Sequence, residues 1–150
     1  MPQSFVRLFV HVIFSTKDRQ PTISYEVRPR LFGYLGGIIR ECHGEPIIVN
    51  GVADHVHILM AMPPEKSISE MLRLIKSNSS KWVHEQFPSM KRFAWQNGYA
   101  AFGVSASNID QVRLYIMDQE EHHRKRTFAE EYEAILSKHG FVQHPNDLAA

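Results

Sequence analysis

Apolar and polar positions alternate at the start of the chain. In residues 5–14 the even positions (Val6, Leu8, Val10, Val12, Phe14) are all apolar, whereas the odd ones mix Phe5, Arg7, Phe9, His11 and Ile13. Period-two patterning predicts a strand with one face in a core. Residues 26–42 then place Val27, Leu31, Tyr34, Leu35, Ile38 and Cys42 at helical spacing despite Gly33, Gly36 and Gly37. Residues 46–51 and 55–62, rich in Ile and Val and stopped by Pro63 and Pro64, read as a hairpin. Residues 67–87 open with the capping-box pair Ser67 and Glu70 and carry Ile68, Met71, Leu72, Ile75, Trp82 and Val83 on one stripe, a second helix. A strand over 94–104, a small polar link over 105–108, a helix over 109–123, and a short helix with a polar tail over 124–150 complete the chain.

The order strand, helix, strand, strand, helix, strand predicts an α+β, ferredoxin-like (RRM-like) antiparallel sheet. Both helices should lie on one face, the other face should be open, and the first and third strands should be central neighbours. A further C-terminal helix follows.

Composition narrows the function. The 150 residues carry 17 Lys+Arg against 16 Asp+Glu, and 43% are apolar, which predicts one domain over residues 1–150. No stretch approaches the roughly 20 apolar residues of a membrane span, and residues 1–4 run into a strand without signal-peptide architecture, so a cytoplasmic protein with no membrane partner is expected. The lone Cys42 excludes an internal disulfide and a thiolate metal cluster. A net charge of +1 neither demands nor forbids nucleic acid.

Candidate chemistry begins at His55, Val56 and His57. In a strand both imidazoles point to one face while Val56, Ile58 and Met60 enter the core. Two imidazoles so placed suit a divalent metal, although outward polar alternation produces the same triplet. Beside the first strand they would share the open face with Phe5, Arg7, Phe9 and His11, a mixture suited to phosphate and bases. Tyr115 and Gln119, four residues apart, project together from one helical face; an amphipathic helix packing its tyrosine on the sheet fits that spacing as well. Lys17, Arg19, Arg73, Lys76, Lys81, Lys91 and Arg92 are candidate phosphate contacts, or ordinary solvated charges. Trp95 and Tyr99 share one strand face, and core packing suits Trp95.

The stretches HVIFSTKDR (11–19), ADHVHIL (53–59), IKSNSS (75–80), WQNGYAAFGV (95–104) and YIMDQEEHH (115–123) occur in an order that resembles the single-tyrosine HUH transposases. These are the small insertion-sequence enzymes of the IS two-hundred/six-hundred-and-five type, with their domesticated palindrome-associated relatives. The resemblance implies Tyr115 as nucleophile, His55 and His57 as ligands of magnesium or manganese, and Gln119 as a third ligand. The implied reaction is cleavage and rejoining of single-stranded DNA through a 5′-phosphotyrosine. Hairpin-forming DNA ends are the implied partner; Lys17, Arg19, Lys76, Arg7, His11 and Arg73 are the DNA contacts expected from their own chemistry, Lys17 and Lys76 falling inside the family-like stretches. The implied assembly is a homodimer in which the tyrosine helix can dock on the partner's histidine pair, with residues 103–108 as a hinge.

His122 would lie two turns past Tyr115 on a continuous helix, about 10 Å away, so no proton acceptor is assigned. Two rivals remain at this stage. A non-catalytic single-strand-binding module would use the open sheet and leave His55, His57 and Gln119 unexplained. A metal-dependent hydrolase would use water in place of Tyr115.

Overall fold

The computed structural model describes residues 2–141. Its elements are β1 (Phe9–Ser15), α1 (Arg28–Glu41), β2 (Glu45–Gly51), β3 (His55–Ala61), α2 (Ile68–Gln86), β4 (Ala100–Val104), α3 (Ile109–Met117), α4 (Gln119–Lys125) and α5 (Phe128–Lys138). The sheet is antiparallel in the order β2-β3-β1-β4, so β1 and β3 are central neighbours, as the α+β ferredoxin-like reading requires. The polar tail expected over 124–150 is α5 as far as Lys138; residues 142–150 lie outside the described residues.

One sheet face carries Val10, Val12 and Phe14 of β1 and Val56, Ile58 and Met60 of β3. These pack in one cluster with Leu31, Leu35 and Ile38 of α1 and Met71, Leu72 and Ile75 of α2. Each fully buried side chain of this kind contributes about 1.5–3 kcal/mol relative to exposure. Ser67 caps α2 by accepting from the Glu70 N–H at 3.1 Å.

Two strands are shorter than their patterns. β1 begins at Phe9, which pairs with Ala61 and Val104, the last residues of β3 and β4. Beyond them one further bond, from the Met62 N–H to the Leu8 carbonyl at 2.8 Å, ends the pairing, and Phe5, Val6 and Leu8 are exposed instead of entering the core. In the 94–104 segment, Gly98 takes φ +91° and splits the pairing. Trp95 bridges Thr16, and β4 proper starts at Ala100. The Lys76 ammonium donates to the carbonyls of Gln96 at 2.8 Å and Gly98 at 2.6 Å, filling the bulge.

The expected open face is covered. α3 packs over β2 and β3, while Phe128 and Leu136 of α5 pack on Ile13, Ala100 and Phe102. The helix expected over 109–123 is also broken, at Asp118 (φ −96°, ψ 18°). Nδ2 of Asn50 on β2 donates to the carbonyls of Ile116 at 2.9 Å and Met117 at 3.2 Å. The sheet edge thereby satisfies carbonyls that the interrupted helix leaves without partners.

Candidate active site

β3 turns the His55 and His57 side chains away from the core of α1 and α2, and both are fully buried beneath α3, α4 and α5. Each ring is held through Nδ1. That of His55 lies 2.8 Å from Asp54 Oδ1, and that of His57 lies 2.8 Å from Nε2 of His11. Both Nε2 atoms face one carboxylate, Glu131 of α5: Oε1 is 3.4 Å from His55, 3.2 Å from His57 and 3.2 Å from Nε2 of His123. Gln119, also fully buried, places Oε1 3.2 Å from His55 Nε2 and donates Nε2 to Glu131 Oε2 at 3.1 Å. The Tyr115 hydroxyl donates to the same Oε2.

Burial and hydrogen bonding set the protonation. Burial drives the pKa of His57 down to about 4 and, with the repulsion of His57, that of His11 to about 3. Burial opposes charge on His55 too, yet hydrogen bonds to Asp54 and Glu131 outweigh it and raise its pKa. Glu131 would be raised by desolvation, but hydrogen bonds from His123, His55 and His57 hold it well below the usual carboxylate range. Burial and the Glu131 carboxylate push the Tyr115 phenol up, while Gln119 and Arg126 act in the opposite direction.

A divalent cation fits this donor set. One nitrogen from each of His55 and His57 and one oxygen from Glu131 lie within 4.8 Å of one another. Outer partners at the opposite ring nitrogens fix the imidazoles, as metal-binding histidines require. Gln119, the third ligand implied by the resemblance, is adjacent through its amide oxygen.

Glu131 escapes a reading of the sequence because AEEYE looks like a solvated helix start. The signal is its phase: it lies on the stripe of Phe128, Tyr132, Ile135 and Leu136, so it points inward with them. The break at Asp118 corrects the distance to His122, whose ring centroid is 4.7 Å from that of Tyr115. His122 Nε2 is buried without a hydrogen-bond partner among the described residues.

The residues expected at DNA are scattered. His11 is nearly buried behind His57, with only an edge reaching the space that Tyr115 also lines. Lys76 is engaged with the bulge carbonyls. The Arg19 guanidinium sits 5.3 Å from the Phe128 ring, which stacks on His55 at 4.0 Å. Arg7, near Phe9, and Lys17 and Arg73 are exposed. Trp95 is in the core, its indole N–H donating to Ser79 Oγ at 2.9 Å.

Fold and site together define a class of α+β protein in which a helix-borne phenol meets strand-borne imidazoles at one buried carboxylate. The sequence matches the family described as "Transposase IS200 like" over residues 4–119, and the chain belongs to that family. The transposase for insertion sequence element IS200 from Salmonella typhimurium is 30% identical over 118 residues, spanning 73% of this chain and 74% of the relative. The ISDra2 transposase TnpA of Deinococcus radiodurans is 26% identical over 118 residues, 75% of this chain and 84% of that one. A crystal structure of a Deinococcus radiodurans transposase superposes with a TM-score of 0.65 at 26% identity, covering 77% of this chain and 93% of that one. A REP-associated tyrosine transposase bound to a REP hairpin shares the fold, with a TM-score of 0.52 at 15% identity, covering 97% of this chain and 76% of the other. The family match ends at Gln119, so Arg126 and Glu131 lie beyond it.

Proposed function

We propose that this transposase cleaves and rejoins single-stranded DNA through a phosphotyrosine on Tyr115, with His55, His57 and Glu131 holding magnesium or manganese and Gln119 beside them. The observation that supports this most is the meeting of phenol and imidazoles on one buried carboxylate within a single chain.

In this reading the Tyr115 oxygen attacks the phosphorus of a phosphodiester. The new P–O bond to tyrosine forms as the bond to the 3′ oxygen breaks, leaving a 5′-phosphotyrosine and a free 3′-hydroxyl. Oε2 of Glu131 accepts the phenol's hydrogen bond and so orients its oxygen for attack, and the departing 3′ oxygen gains through solvent the proton that the phenol loses. Attack of another 3′-hydroxyl on the phosphotyrosine reverses these bonds and releases Tyr115, so no nucleoside triphosphate is consumed. The chemistry a bound divalent ion supplies is neutralisation of charge on a phosphate oxygen. Asp54 and His11 keep the imidazoles turned toward that position. Hairpin-forming DNA, a homodimer, a single acting domain and a cytoplasmic location belong to the same proposal. No helix among the described residues is long and apolar enough to cross a membrane.

A base-stacking module of the RNA-recognition kind is disfavoured, because the sheet face it needs lies under α3 and α5. The test is incubation of labelled single-stranded hairpin DNA with the protein and magnesium, followed by a denaturing gel. A covalent protein–DNA band that vanishes in Tyr115→Phe is expected. Cleavage that persists in Tyr115→Phe means that water is the nucleophile.

A further inference from the structure

The Tyr115 ring forms part of the wall of a cavity of about 680 Å³ between β4, α3 and α5, within the roughly 300–1,000 Å³ of ligand sites. Arg126 and Lys138 bring fixed positive charge to it, and among the described residues no carboxylate lines it. A second cavity, on the Asp54 side of the site, is lined by Asp54, Glu120 and Glu130 beside its arginines. The two spaces therefore differ in what they accept. In the second, carboxylates offset most of the charge of Arg28, Arg124, Lys125 and Arg126, whereas a polyanion meets none in the first.

The first cavity also offers groups for a base. His139 stacks on Phe102 with centroids 4.0 Å apart and planes at 17°, and its Nδ1 lies 2.9 Å from the Ile135 carbonyl, which fixes the ring. His139 is exposed and lines the cavity, so a planar base can stack there. Gln111 and Asn108 on the opposite wall carry amides able to pair with base edges. Arg126 stands where α4 ends in extended backbone and lines the cavity together with Tyr115.

We infer that this cavity seats the nucleotide next to the scissile phosphate, with Lys138 gripping a flanking phosphate, Arg126 serving as a catalytic residue at the phosphate attacked by Tyr115, and His139 supporting the base. The inference rests on the strand-cleavage reading and adds a subsite to it. Arg126, Lys138 and His139 all come from beyond the span matched to the family.

Two measurements test it. In a Tyr115→Phe background, binding of labelled oligothymidylate is followed by anisotropy across a salt series. Lys138→Gln and Arg126→Gln should each lower the log–log salt slope by about 0.7, whereas Arg40→Gln, an exposed change on α1, should leave it unaltered. With Tyr115 intact, Arg126→Gln should slow covalent adduct formation on the order of 10²–10³-fold, with an unchanged melting temperature. Slopes that do not move, or move as much for Arg40→Gln, overturn the inference. A normal adduct rate in Arg126→Gln does so too, and leaves the strand-cleavage reading standing. No adduct with the unaltered protein defeats that reading instead, while the salt series still decides whether the cavity holds DNA.

Discussion

Oε2 of Glu131 accepts the hydrogen bond of the Tyr115 phenol, while Oε1 of the same carboxylate lies 3.2 Å from Nε2 of His57. One side chain thus ties the candidate nucleophile to the candidate metal ligands. It sits sixteen residues after the tyrosine, on a different helix.

Glu131 is fully buried and holds three imidazoles and a phenol. Removing one partner of such a buried charged cluster costs about 3–5 kcal/mol. Glu131→Ala should therefore lower the stability of the metal-free protein, read as a reduced urea midpoint. Glu131→Gln keeps the shape and should weaken manganese binding in calorimetry; unchanged manganese affinity in Glu131→Gln removes this carboxylate from the ligand set.

His11 reaches a metal only through His57. For His57 to ligate through Nε2, its Nδ1 must carry the proton and donate it to Nε2 of His11. His11→Ala should lower manganese affinity about 10–100-fold, the usual effect of losing an outer partner. Oligothymidylate affinity without metal should change little, since only an edge of the ring reaches the cavity. The reverse pattern would make His11 a DNA contact.

Acid should destabilise the metal-free protein from the histidines downward. His11 and His57 titrate at about 3 and about 4 in the folded chain, against 6.5 when unfolded. Between 6.5 and about 4 the unfolded chain takes up protons that the folded chain refuses, so stability falls as pH falls. Glu131 and Asp54, both lowered, add stability that is likewise lost in acid. His55 acts in the other direction: its raised pKa stabilises the fold below 6.5, an effect lost as pH rises through the folded value. Urea midpoints in chelator should decline across the window, and His11→Gln should flatten the decline; midpoints that rise toward acid contradict the assignment.

The Tyr115 and His57 ring centroids are 5.9 Å apart in the same chain. Mixing Tyr115→Phe with His57→Ala protein should therefore give no recovery of adduct formation. Recovery would show that the tyrosine helix works on a partner's histidines.

Much of this arrangement was legible because it is periodic. The alternation through Val56, Ile58 and Met60 assigns His55 and His57 to the opposite face whatever lies beyond it. The pattern of Phe5, Val6 and Leu8 misleads because alternation cannot reveal where partner strands stop. Likewise, 3.6-residue periodicity extends a helix through Asp118, although the Asn50 amide across the sheet edge supports a break there. Glu131 is a tertiary fact: its charge reads as solvated until the histidines that surround it are seen in space.

α5 begins past Gln119, where the family match ends, yet carries the carboxylate that meets the Tyr115 phenol and both imidazoles. A domain border drawn at the end of that match would cut through the candidate site. A protein trimmed to that border would keep its tyrosine and twin histidines and lose the group that joins them. Inactivity in such a fragment would report on where it was trimmed, with the chemistry of the intact chain left out of the measurement.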